Sequence, residues 1–582
     1  MALLALMTAL VLTAGHPHTG LFVALLGGGY ALMAALTSSS DRLRATIAAA
    51  IAMTLGIALT AVQVLPFFEY LSLSYGLTWR SSFTTNPFIS PASTLITGIV
   101  PNFLGHHASG NFAGPTNYLE QQIYPGLATL LLAAVGWICG VRRWRVWFFA
   151  CAALAAMAVA YGAPGMIQLV SSLPLLKSAT LTRAAIVPIA SLAILAAYGV
   201  EAILKANANA NADRSRRAAW LTALTVIVPT IAVIVTVLMT LQTREAFLVS
   251  HDLLAFTSRW AWLTIGLAII TCTIALAAIG RVAGRSAAGA ALVGVLALDL
   301  VVFGYGFRPL IPAAQVYPDV PEVQLVRQDP GLFRVMGLGG SMVPNASMVY
   351  GLHDVRGYDG LTVARYAQLL EAVLRYEPQN QIFTAVNLVS PLIDLMNVKY
   401  VFGAPNVPVP EGWFTKVTDG EAPLYRNNRV FPRAFLVDSY VILDGNPARR
   451  ALRDGRVDFH RVGLLEQDPP AAERPVAASS ADTVGIATVT SYTDHRIEIQ
   501  TDAPDRRLLV LTDVHYPGWT ATIDGQAATI RRTNFAFRSV SVPGGRHTVA
   551  FEYRPASFRY GLIISTIALL AVIGLAIRGR LR

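Results

Sequence analysis

Charge is what this 582-residue chain has least of. Asp, Glu, Lys and Arg make up 14% of it, while 54% is hydrophobic. Soluble proteins carry about 25% charged residues. The deficit is uneven along the chain, which excludes an ordinary soluble globule and points to a polytopic membrane protein with one soluble part. Cysteine is almost as scarce. Cys139, Cys151 and Cys272 all lie in apolar runs, so they read as small core residues and exclude a disulfide or cysteine-metal framework. No basic segment precedes the apolar residues 2–14 and no cleavage site follows them, which argues against a signal peptide. Lysine is rare beside arginine, and no function follows from that.

Apolar runs of spanning length stand near 20–38, 46–66, 125–141, 146–162, 184–203, 218–240, 261–280, 287–306 and 558–577. A crossing needs about 20 residues, so 2–14 is too short alone and reads as the tail of a helix whose start is missing. Counting it gives about ten transmembrane helices. Basic residues then crowd one side: Arg42 and Arg44, Arg142, Arg143 and Arg145, Lys205, Arg214, Arg216 and Arg217, Arg281 and Arg285, and Arg578, Arg580 and Arg582. The opposite loops carry few, so the first side is cytoplasmic. The net charge of +11 is therefore largely a topology signal, and a nucleic-acid partner is not indicated. The 67–124 loop and the whole 307–557 region fall outside the cytoplasm.

The 67–124 loop interleaves aromatics, Pro, Gly and Asn, and is expected to form short interfacial helices over a bundle spanning 1–306. Residues 307–445 read as an extracytoplasmic α/β region, with a helix at Val363–Tyr376 and strands at Val398–Phe402 and Ala434–Val437. Residues 446–482, rich in Arg, Asp, Pro and Ala, read as a solvated connector. Short alternating runs fill 483–557, at 484–490, 495–501, 507–513, 519–524, 527–531, 536–542 and 546–553. Asp524-Gly525 is a strong hairpin signal, and Pro543-Gly544-Gly545 reads as a second hairpin turn. Seven such strands predict a β-sandwich, anchored by a terminal helix at 558–577.

Nine motifs in order carry a resemblance. They are GHPHTG (15–20), LPFFEYLSLS (65–74) followed by Arg80, VPNFLG (100–105), YPGLATLLLA (124–133), LTRAAIVPIASLAILAAYGVEAIL (181–204), VYGLHDVRGYDGL (349–361), LMNVKYVF (395–402), FPRAF (431–435) and the segment 516–561 beginning YPGWTATIDG. Together they resemble bacterial YfhO-family membrane proteins. The resemblance implies a GT-C-like glycosyltransferase in the bacterial cytoplasmic membrane. Such an enzyme takes a sugar from a polyprenyl-phosphate donor and places it on an envelope glycan, such as a teichoic acid, outside the cytoplasm. It also implies an acidic residue in a first external loop that precedes Met1, so the chain is expected to lack that loop.

Glycosyl transfer from a lipid phosphate needs a carboxylate base for the acceptor hydroxyl, and cations at the departing phosphate. Glu69 and Glu120 are the candidate bases. The structural alternatives are an interfacial carboxylate paired with Arg80 for Glu69 and an exposed loop carboxylate for Glu120. Arg80, Lys177 and Arg183 are the candidate phosphate-binding residues, with snorkelling at the interface as the alternative. His16, His18, His106 and His107 lack ligand partners at suitable spacing, so no metal set is assigned. No cofactor follows from the residues, and a divalent metal at the phosphate stays an open alternative. Asp299 sits inside an apolar run, where a carboxylate is either functional or an interhelical hydrogen-bond acceptor.

Asp354, Arg356, Tyr358 and Asp359 suit glycan recognition, with a structural Arg–Asp network as the alternative. Asn345-Ala346-Ser347 fits a glycosylation pattern that is common by chance. Trp519 reads as sandwich core in preference to a sugar platform. Two further functions compete with the transferase: a non-catalytic envelope-assembly or glycan-binding protein, and a transporter, for which Asp299 alone is thin support.

Overall fold

The computed structural model describes residues 1–37, 42–115, 117–208, 213–280, 282, 284–307, 310–377, 382–385, 387–405, 407–420, 422–478 and 484–580. Two of the basic loop residues, Arg281 and Arg582, lie outside the described residues. The chain folds as two compact units. One comprises Met1–Thr60, Arg80–Leu310 and Ile567–Arg582; the other comprises Ala61–Trp79 and Ile311–Thr566.

The first unit is helical. Among the described residues, seven helices are long and apolar enough to cross a membrane: Pro17–Thr37, Arg42–Leu59, Leu181–Ala206, Ala219–Thr243, Leu254–Ile279, Arg285–Gly304 and Ala556–Gly579. Three further apolar helices, Ala2–Thr13, Leu127–Cys139 and Trp144–Ala160, fall short of the length expected of a crossing. A helix satisfies all its interior N–H and C=O groups by itself, which is why apolar sequence of this kind becomes helix in lipid. The run expected at 46–66 ends at Leu59, and a separate helix, Ala61–Ser72, follows.

Lipid tails are as apolar as leucine, so helices in a membrane associate where small residues let backbones meet. Leu127–Cys139 and Ile186–Ala208 do so through two glycines. A Cβ on Gly136 would collide with the carbonyl of Leu195, and one on Gly199 with the carbonyl of Leu132. Asp299 resolves to its structural alternative. It is buried, accepts a hydrogen bond from Tyr124 Oη at 2.6 Å, and accepts the Leu127 backbone N–H at 2.7 Å. It thereby caps the N-terminus of the Leu127–Cys139 helix, where orphan N–H groups and the helix dipole favour a carboxylate.

The second unit is built on sheets. One has the order His353–Asp354, Arg334–Gly337, Val398–Phe402, Leu424–Asn427, Phe414–Lys416. The next has the order Ala434–Val437, Arg507–Val514, Phe537–Val542, Arg531–Thr533, Val462–Leu465, Ser439–Ile442. The third has the order Ile486–Tyr492, Arg496–Ala503, Gly545–Tyr553, Trp519–Ile523, Gln526–Ala528. The second and third face each other across a core of Leu509, Leu511, Val540 and Val542 with Ile497, Ile499, Val549 and Phe551. The alternate residues Leu508, Val510 and Phe537 face the other way, into a core with Leu392, Leu395 and Val398. Period-2 alternation thus serves two cores at once.

Four expectations change. The sandwich is not confined to 483–557, because its larger sheet takes strands from 434–465. Residues 446–482 are not a solvated connector. Helix Gly445–Asp454 buries Ala448, Ala451 and Leu452 at i, i+3, i+4 spacing, and Val462–Leu465 pairs in parallel with Ser439–Ile442. Pro543-Gly544-Gly545 is not a hairpin turn. It carries the chain from Phe537–Val542 in one sheet to Gly545–Tyr553 in the other. Asp524-Gly525 does close a two-residue hairpin, with φ of 48° and 82°, the positive values that a type I′ turn requires. The helix expected at 363–376 is shorter, Ala364–Leu370, and a strand, Leu374–Glu377, follows it.

Half-buried His515 follows the Arg507–Val514 strand. Burial, then the charges of Arg532 and Arg538, push its imidazole down to about 4. The folded state therefore binds fewer protons than the unfolded state between about pH 6.5 and 4. Stability is full above that window and is lost as pH falls through it. After allowance for solvent screening the loss is about 1–2 kcal/mol. His515→Gln is expected to flatten this part of the profile, read from thermal midpoints of both proteins between pH 7.5 and 4.5.

Candidate functional site

The helical unit draws four loop segments together through small polar side chains. The Asn86 amide nitrogen donates to the carbonyls of Leu176, Lys177 and Ala179 at 3.0, 2.9 and 2.8 Å, and its oxygen accepts the Phe88 N–H at 2.9 Å. The Thr182 N–H reaches the Phe88 carbonyl at 3.2 Å. The 80–90 segment is thus stitched to the 174–183 segment. Arg80 Nη1 donates to the Ser178 carbonyl at 3.3 Å and to Thr180 Oγ1 at 3.1 Å, with its guanidinium 4.1 Å from the centre of the Phe88 ring. The Thr180 N–H donates to His18 Nδ1 at 3.3 Å, which brings in the start of the Pro17–Thr37 helix.

Glu120 completes the cluster. It lies in the short helix Tyr118–Gln121, whose first turn is capped by the Asn117 side chain. Arg183 Nη2 donates to Glu120 Oε1 at 2.8 Å, and Thr182 Oγ1 to Glu120 Oε2 at 3.3 Å. The His16 ring lies edge-on to that of His18, with centroids 5.5 Å apart. Burial, followed by the charge of Arg183, lowers the pKa of His16, so it is neutral at pH 7. Two guanidinium groups, one carboxylate and two imidazoles therefore meet at one place, with a net charge of +1.

An apolar groove of about 450 Å³ lies farther along the Pro17–Thr37 helix, between it and the Trp144–Ala160 and Ile186–Ala208 helices. It is lined by Val23, Leu26, Gly27, Tyr30, Phe149, Ile194 and Tyr198. The first four recur at i, i+3, i+4 and i+7 on the Pro17–Thr37 helix, so they share one face. Val23 stands five residues beyond His18, about 7.5 Å along the axis.

The candidates named from the sequence divide. Arg80, Arg183 and Glu120 come together. Lys177 enters the cluster through its carbonyl, which Asn86 holds. Glu69 lies on the Ala61–Ser72 helix, in the other unit. There its charge, after burial, helps push the Tyr516 hydroxyl up to about 12. Tyr70, beside it, donates to Asp359 at 2.9 Å, and its ring lies 6.3 Å from that of Tyr516. Asp354 and Arg356 resolve to a buried ion pair at 2.9 Å, with side chains 3% and 2% exposed. They are spent on each other and on the Met342 carbonyl, and of the four residues of that loop only Tyr358 and Asp359 are exposed. Trp519 has the Arg538 guanidinium 3.8 Å from its ring centre, which occupies one face and fits the core reading.

His106 and His107 pack against Tyr118 and Phe307. Among the described residues no group of three or more His, Cys, Asp or Glu side chains is arranged to hold a metal ion. Asn86, Thr180 and Thr182 were not singled out from the sequence, whereas the histidines at 16 and 18 read there as metal ligands or, in preference, as loop packing and hydrogen-bonding groups.

Residues 453–565 match the family model described as bacterial membrane protein YfhO. No match was found among curated proteins or among solved structures.

Proposed function

We propose, from the premise that this chain is a bacterial membrane protein of the YfhO family, that it transfers a sugar from a polyprenyl-phosphate donor to an envelope glycopolymer. The observation that carries this reading is the Arg80–Arg183–Glu120 cluster, with an apolar groove farther along the Pro17–Thr37 helix whose start the cluster holds. The groove suits a prenyl tail, and the two guanidinium groups suit the phosphate to which the tail is attached. The distribution of basic loop residues supports the outer side of the membrane for the cluster.

In this mechanism Arg183 leaves Glu120 for a phosphate oxygen. Arg80 takes a second oxygen, with the Lys177 ammonium as a further counter-charge. The freed Glu120 carboxylate accepts the proton of the acceptor hydroxyl as that oxygen attacks the anomeric carbon. The anomeric C–O bond to phosphate breaks, its electron pair goes to the phosphate oxygen, and the glycosidic bond forms. Neutral His16 is suited to donate a hydrogen bond to the departing phosphate.

The exposed Tyr358 and Asp359, the latter accepting from Tyr70, favour glycan contact by the second unit. They equally suit a binding protein without transfer activity. Purified full-length protein in detergent, supplied with radiolabelled polyprenyl-phosphate sugar and an envelope glycan fraction, separates the two. Label appearing in the glycan supports transfer. Glycan binding without label transfer favours the binding protein.

A further inference from the structure

The second unit buries an unbalanced charge. Asp513, 7% exposed, is the acceptor for three guanidinium groups: Arg334 at 2.8 Å, Arg433 at 3.2 Å and Arg538 at 3.3 Å. Arg433 and Arg538 are each 2% exposed. Tyr492 Oη donates to the same carboxylate at 3.0 Å. Other charged groups nearby do not supply the balance. Asp354 is committed to Arg356, and Asp494 stands exposed. Three cations against one anion leave an excess of +2. Arginine cannot shed it at neutral pH, and uncompensated buried charge costs several kcal/mol per ion. Burial and the neighbouring Arg334 push Arg433 down to about 10, which still leaves it charged at pH 7.

The hydrogen-bond accounting points the same way. Arg334 is saturated by the carbonyls of Met396 and Thr512 and by Asp513. Arg433 Nε, Arg538 Nε and Arg538 Nη1 are buried donors with no protein acceptor. Aromatic rings are the other neighbours: the Arg538 guanidinium lies 3.8 Å from the centre of the Trp519 ring and 5.5 Å from that of Phe551, and the Arg433 guanidinium 5.5 Å from that of Tyr492. A ring face is a weak acceptor and carries no compensating charge. A buried donor left unmade costs about 1–3 kcal/mol, so three beside a charge excess call for an anionic acceptor.

We propose that this unit binds one small inorganic anion of the chloride class between Arg433 and Arg538, as a built-in part of the sandwich. Full burial sets the size limit. A phosphate or uronate carried on a polymer would bring its chain into the same closed space, whereas a halide needs no more room than a water. The site is separate from the proposed transfer chemistry and does not depend on it.

The test is thermal unfolding of purified full-length protein in detergent, with chloride exchanged for gluconate at constant ionic strength. A ligand bound only by the folded state raises the midpoint with the logarithm of its concentration. The expected rise is roughly 2–4 °C per tenfold chloride above the dissociation constant, with bromide replacing chloride and gluconate inert. Arg538→Met is expected to abolish the dependence. No chloride dependence in the unsubstituted protein up to 300 mM, about twice physiological ionic strength, would overturn the proposal. So would a dependence of equal slope in Arg538→Met, which would mark a general salt effect. If that variant does not fold, chloride-35 line broadening by the unsubstituted protein, reversed by bromide, gives the answer; no broadening counts against the site.

Discussion

Glu120→Gln is expected to lower sugar transfer by about 10²–10⁴-fold, the range removed with a positioned general base. The amide keeps the shape of the side chain, and its oxygen can still accept from Arg183 or Thr182, which now hold the carboxylate at 2.8 and 3.3 Å. What it cannot do is accept the acceptor's proton. The ion pair is only partly buried, at 32% and 26% exposed, and is worth about 1 kcal/mol or less to stability. Activity and folding should therefore separate: transfer collapses while the thermal midpoint moves by no more than about 2 °C. Glu69→Gln, in the other unit, should leave donor cleavage within a few-fold. Transfer by Glu120→Gln within threefold of the unsubstituted protein would remove Glu120 from the mechanism.

Gly136→Leu is expected to prevent the helical unit from folding. The Leu127–Cys139 and Ile186–Ala208 helices meet backbone to backbone, and even a Cβ at Gly136 strikes the Leu195 carbonyl. A backbone oxygen cannot turn aside as a side chain can, so the helices must part. That forfeits packing along their whole contact, in lipid the chief source of association. Overpacking ordinarily costs about 1–3 kcal/mol. Three carbons beyond Cβ at a backbone contact should exceed that range, and Gly136→Ala should lie within it. Size-exclusion chromatography in detergent, with thermal midpoints for any folded fraction, checks the order: near-complete loss for leucine, partial loss for alanine. A monodisperse Gly136→Leu protein would mean that the two helices tolerate a wider crossing.

The apolar helices were legible in the sequence because composition alone dictates them. The strands at 496–503, 507–514 and 545–553 were legible because alternation does. Glu120, Arg80 and Arg183 could be named by residue type and side of the membrane. Their meeting could not, since it depends on Asn86 holding three carbonyls more than eighty residues away. The 446–482 segment was misread because its arginines outweigh, on average, the Ala448/Ala451/Leu452 stripe that makes its helix a core element. The turn at 543–545 is a local signal, and local signals do not say which strand the next one pairs with. Asp354 and Arg356 look like any exposed polar loop until the surrounding fold buries them.

The cap on the Leu127–Cys139 helix also has a consequence for biosynthesis. Its carboxylate, Asp299, is contributed 172 residues downstream of the Leu127 N–H that it accepts. At about 5–20 residues per second, a ribosome needs roughly 10–35 seconds to supply it. Through that interval the Leu127 N–H has the Tyr124 hydroxyl, three residues before it and 3.0 Å away, as its acceptor, without the carboxylate. The charged part of this cap is thus completed late, by the Arg285–Gly304 helix, and a nascent chain that stops before Asp299 holds the start of the Leu127–Cys139 helix by the Tyr124 hydroxyl alone.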